Sequence, residues 1–196
     1  MSNIIEKTKD YVSNLLTKEL KSNHLYHNLR HTQRVVKSTK ELLNHYELEE
    51  KVSETLTLAA WFHDTGYCKG IEEHEEKSCK IARKFLEEHE YGEIGIKKVE
   101  KFIRATKRAY QPEDLEEEIM RDADSSHFAK KSFMATSEIL REELSLMGIA
   151  SYTLQEWRNA NIKMFQTEHR FYTDYAKQNW QKRKDKNLKK MIKASK

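Results

Sequence analysis

Turn-forming residues are nearly missing from this chain. It has one proline and five glycines in 196 residues, where average usage puts the two together at about 12%. Sandwiches, barrels and glycine-looped α/β sheets need many tight turns, so their scarcity argues for long helices. Cysteine is scarce as well. Cys68 and Cys79 make no disulfide framework, and no CxxC occurs, so a reduced compartment is expected. Long apolar runs are also lacking. The longest spans residues 58–62, whereas a membrane-crossing helix needs roughly 20 apolar residues. The opening MSNIIEKTKDYV carries charges within its first ten residues and no small-residue cleavage site. No signal peptide is expected, and a cytoplasmic location follows as the default.

What the chain does have is charge. Charged residues make up 35% of it, almost as much as the 37% that are hydrophobic, and the net charge is +4. The excess is local: residues 177–196 hold nine Lys/Arg against one acidic residue, leaving the other 176 residues net negative. On composition the chain divides into residues 1–176 and a basic tail, 177–196. Charge runs usually serve solubility, so the tail reads as a solvated helix face before it reads as a nucleic-acid or acidic-lipid contact.

Apolar residues recur at helical spacing along most of the chain. Ile4, Ile5, Tyr11, Val12, Leu15, Leu16 and Leu20 form one stripe, and Val35, Val36, Thr39, Leu42, Leu43 and Tyr46 a second. Val52, Leu56, Ala59 and Ala60 form a third that continues into His63. Pro112 is expected in the first turn of a helix carrying Leu115, Ile119 and Met120. Gly148 should end the helix of Ile139, Leu140, Leu144 and Met147. Thr153 and Glu156 have the spacing of a capping box. A last helix should carry Tyr172, Tyr175, Ala176 and Trp180 into the tail. The expectation is one all-α domain of about seven to nine helices, with no linker.

The informative residues are the polar ones lying on these stripes. His27 and His31 are four apart and share a face if that turn is already helical. His31 continues into Val35, Thr39 and Leu42. His63 ends the third stripe, with Asp64 beside it, and Asp124 falls between Met120 and Phe128 at four-residue spacing. Buried carboxylates neutralise, pair or bind metal. Two imidazoles and two carboxylates converging from separate helices meet that demand with one divalent cation. A mixed nitrogen and oxygen set suits Mn, Fe, Co, Ni or Zn, and Mg is open where oxygen ligands dominate.

Tyr26-His27-Asn28-Leu29-Arg30-His31 has the form YHN-x-x-H. Ala59-Ala60-Trp61-Phe62-His63-Asp64 places an HD pair after an apolar helix. His74-Glu75-Glu76-Lys77-Ser78 has the form HE-x-x-S, Ala105-Thr106 follows, and Asp122-Ala123-Asp124 reads DAD. As a series these resemble the HD-domain superfamily of metal-dependent phosphohydrolases, and within it the small predicted metal-dependent HD phosphohydrolases. The resemblance covers about residues 24 to 130, with a fainter echo around Phe165 and Asn179. It implies an all-α HD bundle with the metal between core helices, and it makes His31, His63, Asp64 and Asp124 the metal ligands. DAD leaves Asp122 and Asp124 both open, with Asp124 preferred because other members keep an Asp at that position. His74 stands where the closest group more often has Asn, which leaves both a second metal and the substrate open as its partner, and Ala129 stands where Gly is usual.

The implied activity is hydrolysis of a phosphate ester or anhydride of a nucleotide or related small metabolite. Asp64 is placed to orient a water, and His27 to give the leaving group its proton. Glu75 orients the water or an imidazole, or else is a helix-start carboxylate in the acidic run 72–76. Arg30, His74, Lys77 and Lys107 lie beside the motifs as candidates for substrate contact, although Arg30, Lys77 and Lys107 are of a kind more often found as surface charges. His127 and Tyr26 either reach the site or pack near it. The competing reading is a non-catalytic HD scaffold that holds a nucleotide as a sensor, associated with nucleic acid through its tail.

Overall fold

The computed structural model describes residues 3–195, and among them the regular structure is all helical. In order the helices are α1 (Asn3–Glu19), α2 (Leu29–Tyr46), α3 (Glu50–Phe62), α4 (His74–Glu88), α5 (Glu93–Arg104), α6 (Leu115–Ser125), α7 (Phe133–Leu146), α8 (Leu154–Lys163), α9 (Asp174–Asn179) and α10 (Gln181–Ala194). Short 3-10 turns occupy Thr65–Lys69 and Ser126–Ala129, and a π-helical turn, Met164–Glu168, follows α8. No helix among the described residues is long and apolar enough to cross a membrane.

The chain packs as two compact units. One comprises Met1–Lys21 and His27–Asp124, the other Ser22–Tyr26 and Ser125–Lys196. In the first, α3 is the central element. Every residue from Thr55 to Phe62 is buried, as expected of a helix that is apolar all round, and it packs against α1, α2, α4 and α5. The amphipathic neighbours turn Val12 and Leu16 of α1, Val35 and Leu42 of α2, Phe85 and Leu86 of α4, and Val99 and Ile103 of α5 inward.

In the second unit Phe133, Phe165 and Met191 form a core with Phe128, Ile162 and Leu188 packed on it. The segment Ser22–Tyr26 docks here through the Tyr26 N–H, which donates to Glu143 Oε2 at 2.6 Å. The basic tail belongs to this unit and is not simply a solvated face. Asn187 Nδ2 donates to the carbonyls of Phe128 and Lys130, Met191 enters the core, and the Lys184 ammonium donates to the His169 carbonyl at 2.6 Å. The charge change at Lys177 falls inside α9 rather than at a division in the packing.

Capping follows the sequence in some places and departs from it in others. The Thr153–Glu156 capping box is present, and Gly148 follows α7 with φ +68°. Pro112 does not open α6. Asp114 does so instead, its Oδ1 accepting from the Glu117 N–H at 3.0 Å. The last helix is broken at Trp180 into α9 and α10. Ile139 is exposed, while Ser137 and Glu143 take the buried face of α7.

Candidate metal centre

Four local devices deliver four side chains to one point in the first unit. The Asn28 side chain caps α2, its Oδ1 accepting from the N–H groups of Arg30 and His31 at 3.0 and 3.4 Å. That cap starts the helix at Leu29, so His31 lies in its first turn on the buried face. His27 lies outside the helix, so the condition for a shared face with His31 is not met. At the other end of the core, α3 stops at His63 and the chain turns sharply through Asp64 into the Thr65–Lys69 turn.

This sharp turn is fastened to α4. The Ser78 hydroxyl donates to the His63 carbonyl at 2.7 Å and accepts from the Gly66 N–H at 2.8 Å. The contact is so close that a Cβ on Gly66 would lie 1.9 Å from the His74 carbonyl oxygen. Asp124 arrives from α6, three residues after Arg121, whose guanidinium donates to the carbonyls of Thr106, Lys107 and Arg108 at the end of α5.

The donor atoms converge. His31 Nε2, His63 Nε2 and Asp64 Oδ2 form a triangle with all three sides 3.2 Å. Asp124 Oδ1 lies 3.1 Å from His31 Nε2 and 3.7 Å from His63 Nε2. The centre of a triangle of that side is about 1.8 Å from each corner, close to the ordinary ligand lengths of about 2.0–2.2 Å, so these residues would suit a small cation. His31, His63 and Asp124 present donor atoms within 4.8 Å of one another. The two imidazoles and Asp64 are buried, and Asp124 is partly open to solvent.

Electrostatics show what the cluster lacks. Asp64 Oδ2 is buried 3.2 Å from each imidazole Nε2, and neither is aligned to hydrogen-bond it. Burial pushes the His63 imidazole toward its neutral form, but the negative charges of Asp64 and Asp124 override this and raise it to about 9. His31 is raised in the same contest. Burial opposes charge on Asp64, yet the two imidazoles hold it well below the usual carboxylate range. Asp124 is held at about 2 against its own burial by the His31 hydrogen bond and the charge of His63. Two carboxylates in a desolvated site thus demand positive charge, which a proton or a divalent cation supplies. His63 Nδ1 lies 3.0 Å from the Ala60 carbonyl. Donation there leaves the Nε2 lone pair facing the centre, the arrangement metal-bound histidines adopt. The donor set fits a divalent cation.

The other expected site residues are placed as follows. The His27 ring lies 5.8 Å from that of His31, centre to centre. His74 Nε2 is 3.7 Å from Asp64 Oδ1, and burial lowers the His74 pKa against the pull of Asp64 and Glu75. Glu75 Oε2 is 3.5 Å from His74 Nδ1, on the far side of that imidazole from Asp64. Lys107 donates to Glu76 at 2.6 Å, beside the Arg104 guanidinium that grips the same carboxylate. Lys77 reaches toward Gly70, and Arg30 is exposed in the first turn of α2. Asp122 is fully buried and is not in the group with His31 and His63. His127 and Tyr26 pair with each other in the second unit, Tyr26 Oη 3.1 Å from His127 Nδ1.

Sequence reading missed three contributors. They are Tyr67, whose ring touches both His27 and His74, the Ser78 hydroxyl, and Arg121. Ser78 was visible as the end of a motif but without a reason. The other two carry no periodic signal.

No curated protein and no solved structure matches the chain. The family model for the HD domain matches residues 28–129, a stretch that contains His31, the His63–Asp64 pair and Asp124. With that match over half its length and the histidine and aspartate donors converging within it, the chain belongs to the HD-domain family, consistent with the superfamily of metal-dependent phosphohydrolases.

Proposed function

We propose that this protein is a phosphohydrolase that uses a divalent cation to cleave a phosphate ester or anhydride of a nucleotide or related small metabolite. The observation that carries the reading is the 3.2 Å triangle of His31 Nε2, His63 Nε2 and Asp64 Oδ2, with Asp124 Oδ1 beside it. These four residues would hold the cation, drawn from Mn, Mg, Co, Ni, Fe or Zn. A divalent cation there supplies Lewis acidity, lowering the pKa of water toward neutrality and offsetting phosphoryl charge.

The remaining work falls to the chain's own groups. Asp64 contributes Oδ2 to the donor set, and its Oδ1 faces His74 and is the oxygen that accepts a hydrogen bond from the attacking water. His74, held by Glu75 at its other nitrogen, shares that oxygen and meets the substrate. His27 stands next to His31 outside the donor set, where an imidazole can hand a proton to the leaving oxygen near neutral pH.

The test is elemental analysis of the purified protein together with a phosphate-release screen over nucleotides and small phosphate esters, with each cation in turn. Cation-dependent release that disappears in Asp64→Ala is the expected result. Protein that binds cation and nucleotide but releases nothing would sink the catalytic reading and leave a non-catalytic scaffold.

A further inference from the structure

Tyr67 is a side chain at the centre that the chemistry above does not use. It stands in the Thr65–Lys69 turn, three residues after Asp64, and only 9% of it is exposed. Its ring centre is 4.1 Å from that of His74 with the planes 18° apart, and 4.6 Å from that of His27 with the planes 31° apart. The three rings come from separate elements: His27 precedes the α2 cap, Tyr67 follows α3, and His74 opens α4. A residue before a helix cap and a residue at a helix's first position have no preceding helical turn to pack their side chains against. The aromatic ring supplies the missing surface, since stacked rings favour a narrow set of separations and tilts. The turn ties this surface to the donor set, because the Tyr67 N–H donates to the Asp64 carbonyl at 3.1 Å.

We propose that Tyr67 is a positioning residue whose buried ring registers the His27 and His74 imidazoles against Asp64. The inference rests on the phosphohydrolase reading, in which His27 moves a proton and His74 meets the substrate. A shift of about 1 Å in such groups costs on the order of 10²-fold in rate.

The test compares Tyr67→Phe, which keeps the ring, with Tyr67→Leu, which removes it. Tyr67→Met serves as a second non-aromatic variant should the Leu protein not fold. Turnover is followed on bis(p-nitrophenyl) phosphate with Mn(II), and the His27 and His74 ring protons are followed by NMR in protein loaded with Zn(II). Tyr67→Phe should match the parent in both. Tyr67→Leu should keep its metal content, lose about 10- to 100-fold in kcat, and shift both sets of ring protons. In a His27→Ala, His74→Ala background the same change should cost little, which a merely structural role would not produce. An undiminished kcat, unmoved ring protons, or an equal loss in Tyr67→Phe overturns the proposal. If the parent turns over no phosphate ester or anhydride, the phosphohydrolase reading fails on its own, and the ring protons still decide the stack.

Discussion

The Ser78 hydroxyl joins α4 to the turn after α3 by donating to the His63 carbonyl at 2.7 Å while accepting from the Gly66 N–H. Ser78 is fully buried, so no water can replace it. In Ser78→Ala both backbone groups lose their partner, at a cost of about 1–3 kcal/mol for each buried group left unsatisfied. His63 and Asp64 lose their register with it. Chemical denaturation should show the lost stability, and titration with Mn(II) should show affinity weakened by about tenfold or more. A variant as stable and as tightly metallated as the parent would refute the connection.

Gly66→Ala should be worse. The new Cβ would meet backbone, the His74 carbonyl oxygen at 1.9 Å and the Ser78 nitrogen at 2.8 Å. Neither is the end of a flexible side chain, so α4 must move away from the turn. Destabilisation of about 3 kcal/mol or more is expected, read as a fall in denaturation midpoint together with loss of metal.

Removal of single donors should separate holding from proton transfer. His63→Ala and Asp64→Ala should lose both metal and turnover. His27→Ala should keep its metal and lose about 10²-fold or more in kcat, the usual worth of general acid catalysis. Elemental analysis beside kinetics distinguishes the cases, and a His27→Ala protein as metal-poor as Asp64→Ala would move His27 into the donor set.

The clasp between α4 and α5 carries a pH dependence. Hydrogen bonds from Arg104 and Lys107, helped by their charges, lower the Glu76 pKa to about 2 from an ordinary value of 4.5. A carboxylate with a depressed folded pKa contributes stability that is complete above its unfolded value and is lost as pH falls toward the folded one. The melting temperature of Glu76→Gln should therefore lie below the parent's at neutral pH, with the gap closing between about pH 4.5 and 2. The pair is partly exposed, so the gap should be small and should narrow in high salt.

The tail should prove structural. Met191 is 2% exposed in the core with Phe133 and Phe165. Met191→Ala, or deletion from Lys189 onward, should destabilise the second unit by about 2–5 kcal/mol. Metal content should persist, because every donor belongs to the first unit. Calorimetry and elemental analysis on one preparation test both halves.

The sequence alone was enough to show an all-helical chain and which of its His and Asp residues fall on apolar stripes, for a physical reason. Amphipathic helices repeat every 3.6 residues, so a His or Asp on an apolar stripe is marked as buried wherever the stripes later pack. His31 and His63 were legible in this way, Asp64 by its neighbour, and Asp124 by its four-residue spacing from Met120, although it is only partly buried. The shortage of glycine and proline excluded the sheet folds before any helix was placed. Tertiary structure decided what periodicity does not encode. Asn28 caps α2 through its side chain, and this left His27 outside the helix, which spacing alone did not decide. Tyr67 and Ser78 act across elements, where partners are set by how a short turn meets α4 rather than by any repeat. In α10 the buried residues Lys184, Asn187 and Met191 fall at i, i+3 and i+7. Their spacing is that of a core-facing stripe, but two of the three are polar, so composition read the segment as solvated. Only the carbonyls of Phe128, Lys130 and His169, brought to it by folding, give those polar groups the partners that let them be buried.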